Sequence, residues 1–254
     1  MSIHEPHSDL PKLLRRLKLG KMAATLPERL VLARSQQLDH AAFLEILLAD
    51  EVTRRDQQRL ELRLAQASFE EVCRLEDFDW SAQIRVDRRL LGQVFSLEFL
   101  SSHHHCLFLG PVGVGKTFLA QTIGFAALRA GHSVLFVRAD AMLKSLTQAR
   151  ADHSFEKEFR RFLAPSLLIV DDFGLRKLSA QQSADLYELI VARHRRSSFV
   201  FTSNRAVEEW LGLFDDPILG NSALDRLAHA SYQVVIEGAS YRERLAPKVA
   251  KEGA

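Results

Sequence analysis

The sequence predicts an α/β protein: a parallel five-stranded sheet in three layers, preceded by a small all-helical domain. Three observations carry this expectation. From His104 onward, short apolar runs alternate with stretches of helical length, the pattern of strand–helix–strand units. Before residue 104 no strand pattern occurs, while Leu10 to about Phe69 keeps apolar residues at helical spacing. The first apolar run, Cys106-Leu107-Phe108-Leu109, also leads directly into Gly-Pro-Val-Gly-Val-Gly-Lys-Thr, Gly110 to Thr117. That segment meets the pattern G-x-x-x-x-G-K-[ST] in the strand–loop–helix setting that the pattern needs.

The elements follow in chain order. Leu10, Leu13, Leu14 and Leu17 share a helical face, and Gly20 suits a helix end. A second periodic stretch carries Leu44, Leu47, Leu48, Val52, Leu60, Leu62 and Leu64 among charges. The segment Glu76 to Ser81, with Phe78 and Trp80 between acids, reads as a linker, so domains are expected at 1–75 and 76–254. Strands are expected at Cys106–Leu109, Ser133–Arg138, Leu167–Asp171, Ser198–Ser203 and Tyr232–Ile236. Helices are expected at Lys116–Ala130, Asp140–Ala149, Ser154–Leu163, Ala180–Arg196 and Ser222–Ala230, with Gly131 as a C-terminal cap. Five such strands fit a three-layer nucleoside triphosphatase core.

Composition narrows the class. The 254 residues are 47% hydrophobic and 26% charged, ordinary for a globular protein with room for one large domain and a small one. No apolar run approaches the roughly 18 residues of a membrane span, and the N-terminus does not resemble a signal peptide. Two cysteines, Cys73 and Cys106, make no disulfide framework, so a cytoplasmic location and no membrane partner are expected. Net charge is only +2, but eleven Lys/Arg against seven Asp/Glu between Leu10 and Ala67 give that segment +4. Lys12, Arg15, Arg16, Lys18 and Lys21 form one acid-free cluster, and Arg54, Arg55, Arg59 and Arg63 recur at helical spacing. Taken alone, both are solvated helix faces.

The phosphate-binding loop comprises Gly110, Pro111, Val112, Gly113, Val114, Gly115, Lys116 and Thr117. Its glycines let backbone N–H groups turn inward around phosphates, and the positive end of the following helix adds to the attraction. Lys116 is expected on the β- and γ-phosphates, with the Thr117 hydroxyl on Mg²⁺ and ATP as the nucleotide. A GTPase is disfavoured, since no Asn-Lys-x-Asp element for guanine is present. Next, Leu167-Leu168-Ile169-Val170 reads as a buried parallel strand that ends in Asp171 and Asp172. Ligands in such sheets bind at the carboxyl ends of strands. Asp171 is therefore expected in the metal shell beside Thr117, and Asp172 as the group that polarises the attacking water. Phe199-Val200-Phe201-Thr202-Ser203-Asn204 is another apolar strand with a polar end. Asn204 alone would read as a cap; in this order along the chain it is expected to sense the γ-phosphate or the water. The triplet His103-His104-His105 has no second ligand cluster to complete a metal site and reads as a loop entering a strand.

Together these segments resemble one family. The phosphate loop is followed by Leu168-Ile169-Val170-Asp171-Asp172-Phe173-Gly174 and Thr202-Ser203-Asn204-Arg205, then by Trp210. Leu224-Asp225-Arg226-Leu227-Ala228-His229 and Gly238-Ala239-Ser240-Tyr241-Arg242 complete the order. The chain is similar over residues 10 to 245 to the IstB family, AAA+ ATPases that assist transposases of bacterial insertion sequences. That family is related to the DnaC helicase loaders. The resemblance implies an ATP-hydrolysing transposition helper that assembles as a homo-oligomer on double-stranded DNA and delivers or activates a transposase; a DnaC-like replicative helicase loader and a nucleotide-gated DNA scaffold are the alternative readings. It makes Arg226 an arginine finger reaching a neighbouring subunit's site and Arg242 a second sensor acting within its own. It also implies that the N-terminal basic clusters contact DNA. Asp172 departs from the more general AAA+ pattern, where Glu is usual; one methylene less shortens its reach, and slow hydrolysis is expected.

Overall fold

The computed structural model describes residues 9–80 and 84–241. The chain divides into two compact units, one up to Leu62 and one from Arg63 onward. The division lies inside a helix rather than between residues 75 and 76. Its physical reason is that residues 69–71 are bound into the larger unit: Phe69 meets Phe136 edge-on at 6.3 Å, the Glu71 N–H donates to Gln121 Oε1 at 3.0 Å, and Glu70 pairs with Arg138 at 2.7 Å.

The smaller unit is helical, as expected, and is built from α1 (Leu10–Arg16), α2 (Met22–Ser35) and the first part of α3 (His40–Ala67). Met22, Leu26 and Leu47 form its core, flanked by Leu10, Leu14, Leu19, Leu30 and Phe43. A two-pronged ion pair, Arg29 to Asp50 at 2.6 and 3.0 Å, joins α2 to α3. Glu51 is buried at 4% exposure and accepts from Arg54 through two nitrogens at 2.8 Å each and from Arg55 Nε at 2.7 Å. Arg55 also caps the Lys18 carbonyl at 2.7 Å. Two of the four arginines at helical spacing are therefore committed inside the unit.

The hydrogen bond from Arg54, helped by Arg55, holds the Glu51 carboxyl down at about 2. A carboxyl depressed on folding contributes stability above its unfolded value, near 4.5, and loses it as pH falls toward the folded value. Relative to Glu51→Gln, which does not ionise, the parent's advantage is expected in full above about 4.5 and to shrink as pH falls toward about 2. Denaturant titrations of both proteins across that range check this; an advantage independent of pH would contradict it.

The larger unit contains a six-stranded sheet. Its strands are β1 (Ile84–Val86), β2 (His105–Leu109), β3 (Val134–Arg138), β4 (Leu167–Phe173), β5 (Ser198–Ser203) and β6 (Ser231–Gly238). They lie in the order β1-β6-β2-β5-β4-β3, parallel from β2 to β6, with β1 antiparallel against β6 at one edge. The five expected strands are all present. The sixth is a correction: three residues that pair only at an edge leave too little periodicity to read.

The helices are α4 (Arg88–Phe95), α5 (Glu98–Ser101), α6 (Lys116–Arg129), α7 (Ala139–Ala151), α8 (Phe155–Leu163), α9 (Ala180–Arg193) and α10 (Pro217–Ala228). Ser179 and Gln182 form a reciprocal cap that starts α9, and Asp216 followed by Pro217 starts α10. Side chains alternate across the strands. Leu107, Leu109, Leu168, Val170, Phe199 and Phe201 enter one core with residues of α7 to α10 and with Trp210, which is fully buried. On the opposite face α6 lies so close that a Cβ on Gly124 would stand 2.7 Å from both Ile169 Cδ1 and the Phe69 ring. The result is three layers, with the carboxyl ends of β2, β4 and β5 facing the start of α6.

Candidate functional site

The loop between β2 and α6 takes its shape from glycines in conformations that other residues resist. Gly110 has φ +145°, and a side chain there would run into the Ile236 carbonyl. Gly115, at φ +93°, is the cap of α6, and its missing Cβ leaves room for the Phe78 ring, which a real Cβ would meet at 2.8 Å. The Tyr241 N–H holds the loop from outside by donating to the Gly113 carbonyl at 2.9 Å.

Lys116, only 6% exposed, extends from the first residue of α6. Its ammonium donates to the carbonyls of Gly110 at 2.8 Å and Pro111 at 2.7 Å, and to Asn204 Oδ1 at 2.6 Å. The lysine thus connects the phosphate loop to the end of β5. Thr117 donates its hydroxyl to Asp171 Oδ1 at 2.9 Å.

Asp171 is buried at 1% exposure, and that burial raises its carboxyl above the usual range against the hydrogen bonds from Thr202 and Thr117, which lower it. Thr202 is the member of this group that sequence reasoning missed. Its hydroxyl donates to Asp171 Oδ1 at 2.6 Å and accepts from the Asp172 N–H at 2.9 Å, so one side chain orients both acids. The Thr202 hydroxyl, at the polar end of β5 two residues before Asn204, was the available signal. The pairing of β4 with β5 shifts between Val170 and Phe173, and Asp172 adopts φ +55° there. Ser203 donates to the Phe173 carbonyl at 2.7 Å and Arg205 Nε to the Gly174 carbonyl at 2.6 Å, fixing the turn that follows.

A cavity of about 580 Å³ opens over these residues, within the range of small-molecule sites. Val112 to Thr117, Asp172 and Asn204 line it. Asp171 adjoins it through Thr117, and Gly110 and Pro111 through Lys116. Its apolar wall includes Phe78, whose ring lies 5.5 Å from Phe118 and 4.6 Å from Trp80. The stretch expected to be a linker is instead, over its described residues 76–80, part of the site wall: Asp77, Phe78 and Asp79 all line the cavity. Sequence spacing carried no sign of this, because the contact joins residues some forty positions apart.

Arg226 does not line this cavity. It lies on α10, donating to the Ser222 carbonyl at 2.7 Å and hydroxyl at 2.6 Å, with its guanidinium 6.0 Å from the Tyr187 ring. Arg242 lies outside the described residues. Of the histidine triplet, His105 is buried on β2, and its Nδ1 accepts from the Phe199 N–H at 3.2 Å. Burial lowers its imidazole to about 4, so it stays neutral at physiological pH. Cys73 and Cys106 are both buried free thiols.

The chain is 40% identical over 248 residues to a protein of Mycobacterium tuberculosis named for ATP binding in an insertion sequence, spanning 97% of this chain and 98% of that one. It is 33% identical to the corresponding insertion sequence IS21 protein of Pseudomonas aeruginosa, over 92% of this chain and 88% of the other. Among solved structures, DnaI superposes with a TM-score of 0.56 at 19% identity, covering 65% of this chain and 90% of that one. The DnaC helicase loader gives 0.51 at 20%, covering 59% and 89%. These two likenesses speak for the fold, a P-loop AAA+ core. The family of IstB-like ATP binding proteins matches residues 12–248, and on that match the chain belongs to the IstB-like ATP-binding family.

Proposed function

We propose that this protein is an ATP-dependent transposition helper. In this reading it binds ATP with Mg²⁺, assembles as a homo-oligomer on double-stranded DNA, hydrolyses ATP slowly and delivers or activates a transposase. One observation carries the catalytic part: Lys116, Asp172 and Asn204 converge on one cavity beside the Thr117–Asp171 hydrogen bond. Relatives of nearly equal extent named for insertion sequences favour transposition over helicase loading, for which the likeness lies only in the fold.

A divalent cation suits the Thr117–Asp171 pair. Both groups offer hard oxygens, and a bound cation offsets the burial that disfavours the Asp171 carboxylate. Bound there, Mg²⁺ would supply charge neutralisation to the phosphate oxygens. The protein's own groups do the rest. The ammonium of Lys116 exchanges loop carbonyls for phosphate oxygens, Asn204 orients the γ-phosphate or the water, and Asp172 polarises that water. Arg226, which does not line its own cavity, serves a neighbour, and Arg242 keeps the sensor role that the family resemblance implies.

The test of this assignment is Asp172→Asn. Nucleotide binding is expected to persist, because Lys116, Thr117 and Asp171 are untouched, while turnover falls by about 10²-fold or more. Equilibrium binding of a fluorescent ATP analogue beside single-turnover hydrolysis separates the two effects. Lost binding with normal turnover per bound ATP would move Asp172 into the metal shell.

The DNA reading is tested on charges that the fold does not use. Arg54 and Arg55 clamp Glu51, so their replacement mixes stability with binding. Arg16, Lys18 and Lys21 are exposed. Replacing these three by Gln is expected to weaken binding to all duplex sequences alike. The logarithmic salt dependence should flatten by about one unit for each phosphate that is no longer neutralised. Unchanged affinity and salt slope would return them to a solvated face.

A further inference from the structure

Beside the two acids at the end of β4 stands a cation that the catalytic reading does not use. Arg138, the last residue of β3, is the register partner of Asp171 across parallel strands, and register partners present their side chains on the same face of a sheet. That face is the one covered by α6, from which Thr117 reaches Asp171. Asp172 is bonded through its backbone N–H, and among the described residues no hydrogen bond holds its carboxylate.

A guanidinium beside an uncommitted carboxylate is a natural forked donor to it. Glu70 holds Arg138 instead: Nε lies 2.7 Å from Glu70 Oε1, and a terminal nitrogen donates to Oε2 at 3.2 Å. Glu70 is itself fixed from both sides. Phe69 packs edge-on against Phe136 of β3 and lies against α6 at Gly124, while the Glu71 N–H donates to Gln121. The Arg138 guanidinium is held above its ordinary range by Glu70 first, and then by the charges of Asp172 and Asp171, so both acids already feel it. All of these residues belong to the larger unit.

We propose that Glu70 is a positioning residue for hydrolysis: by holding Arg138 it keeps the guanidinium off Asp172, whose oxygens stay open to the attacking water. The inference rests on Asp172 acting on that water, as the ATPase reading has it. A guanidinium seated on Asp172 would fill the acceptor sites that the water needs, and a forked donor fills two at once. The hold itself is modest, since the two side chains are 58% and 46% exposed and solvent screens the pair. One substitution can therefore undo it, and the effect reads on rate rather than on fold.

Glu70→Gln keeps the side chain's length and removes its charge. Turnover at saturating ATP is expected to fall about fivefold, the upper end of what an exposed ion pair supports, with ATP affinity unchanged. Glu70→Gln combined with Arg138→Gln is expected to regain the parent rate, since no cation is left to occupy Asp172. The deficit of Glu70→Gln alone should shrink in high salt, which a packing defect would not do. A second readout needs no turnover: the Arg138 side-chain Nε–H followed by ¹H–¹⁵N NMR. Asp172→Asn is expected to move that resonance far more in the Glu70→Gln background than in the parent. An Arg138 resonance that answers to Asp172 in this way, in a protein that hydrolyses no ATP, would support the contact and overturn the ATPase reading. Where the parent does hydrolyse ATP, a Glu70→Gln rate equal to the parent's, or a double variant no faster than Glu70→Gln, overturns the proposal. So does an Arg138 resonance equally indifferent to Asp172→Asn in both backgrounds, whatever the rates.

Discussion

Lys116→Ala is expected to bring ATP hydrolysis to background while the fold persists. The ammonium donates to Gly110 and Pro111 in the loop and to Asn204 on β5. Without it, the pocket loses the cation proposed to meet the phosphates and the link between the loop and the end of β5. The side chain is buried, so the change also removes three hydrogen bonds, at about 1 kcal/mol net each. Water entering the open cavity satisfies the freed oxygens, and the melting temperature should fall by only a few degrees. ATP binding by calorimetry, hydrolysis by phosphate release and a thermal melt are the three readouts. Hydrolysis at the parent rate would mean that the phosphate-loop assignment is wrong, and a collapsed melt would mean that Lys116 acts chiefly as a structural bolt.

The second large effect concerns Arg226. It lies on α10, tied to Ser222, and is not among the residues that line the cavity. If it completes a neighbour's site, Arg226→Ala leaves each subunit able to bind ATP and slows turnover by about 10³-fold or more, the range for arginine fingers. The cause is that the guanidinium stabilises charge developing in the transition state, so binding of ATP itself changes little. Mixing Arg226→Ala with Lys116→Ala gives the decisive measurement. Each is inactive alone, but a mixed assembly contains interfaces with an intact loop on one side and an intact arginine on the other, and part of the rate should return. No recovery despite confirmed co-assembly argues for action within one subunit. Near-parent turnover of Arg226→Ala alone removes the finger assignment and the strongest chemical reason for an obligate oligomer.

What could be read from the sequence were the parts that physics makes local. Buried parallel strands must be apolar throughout, so Leu167 to Val170 and Phe199 to Phe201 declared themselves, and the polar residues that end them marked the site's edge. The loop from Gly110 to Thr117 was legible because glycine positions, lysine and hydroxyl are set by one short stretch of backbone. What escaped depends on contacts between distant residues. Phe78 sits against Gly115 and Phe118 only once the chain has folded back, and nothing in Glu76–Trp80 announces it. Thr202 orients Asp171 and Asp172 from a neighbouring strand. The same holds for charge: Arg54 and Arg55 look like free cations at helical spacing until Glu51 is seen to be buried between them.

The left-handed backbone at Asp172 bears on why this position is not glutamate. Aspartate is among the few side chains enriched at positive φ, where its short carboxylate tolerates the crowding that longer chains and branched ones resist. The shifted register between β4 and β5 coincides with that conformation, at the residue proposed to polarise the attacking water. Reach and backbone geometry are then competing demands on a single position, and the missing methylene is the concession made to the backbone. A longer acid here would have to be selected together with a straighter strand end, so the two features should change as one trait rather than separately.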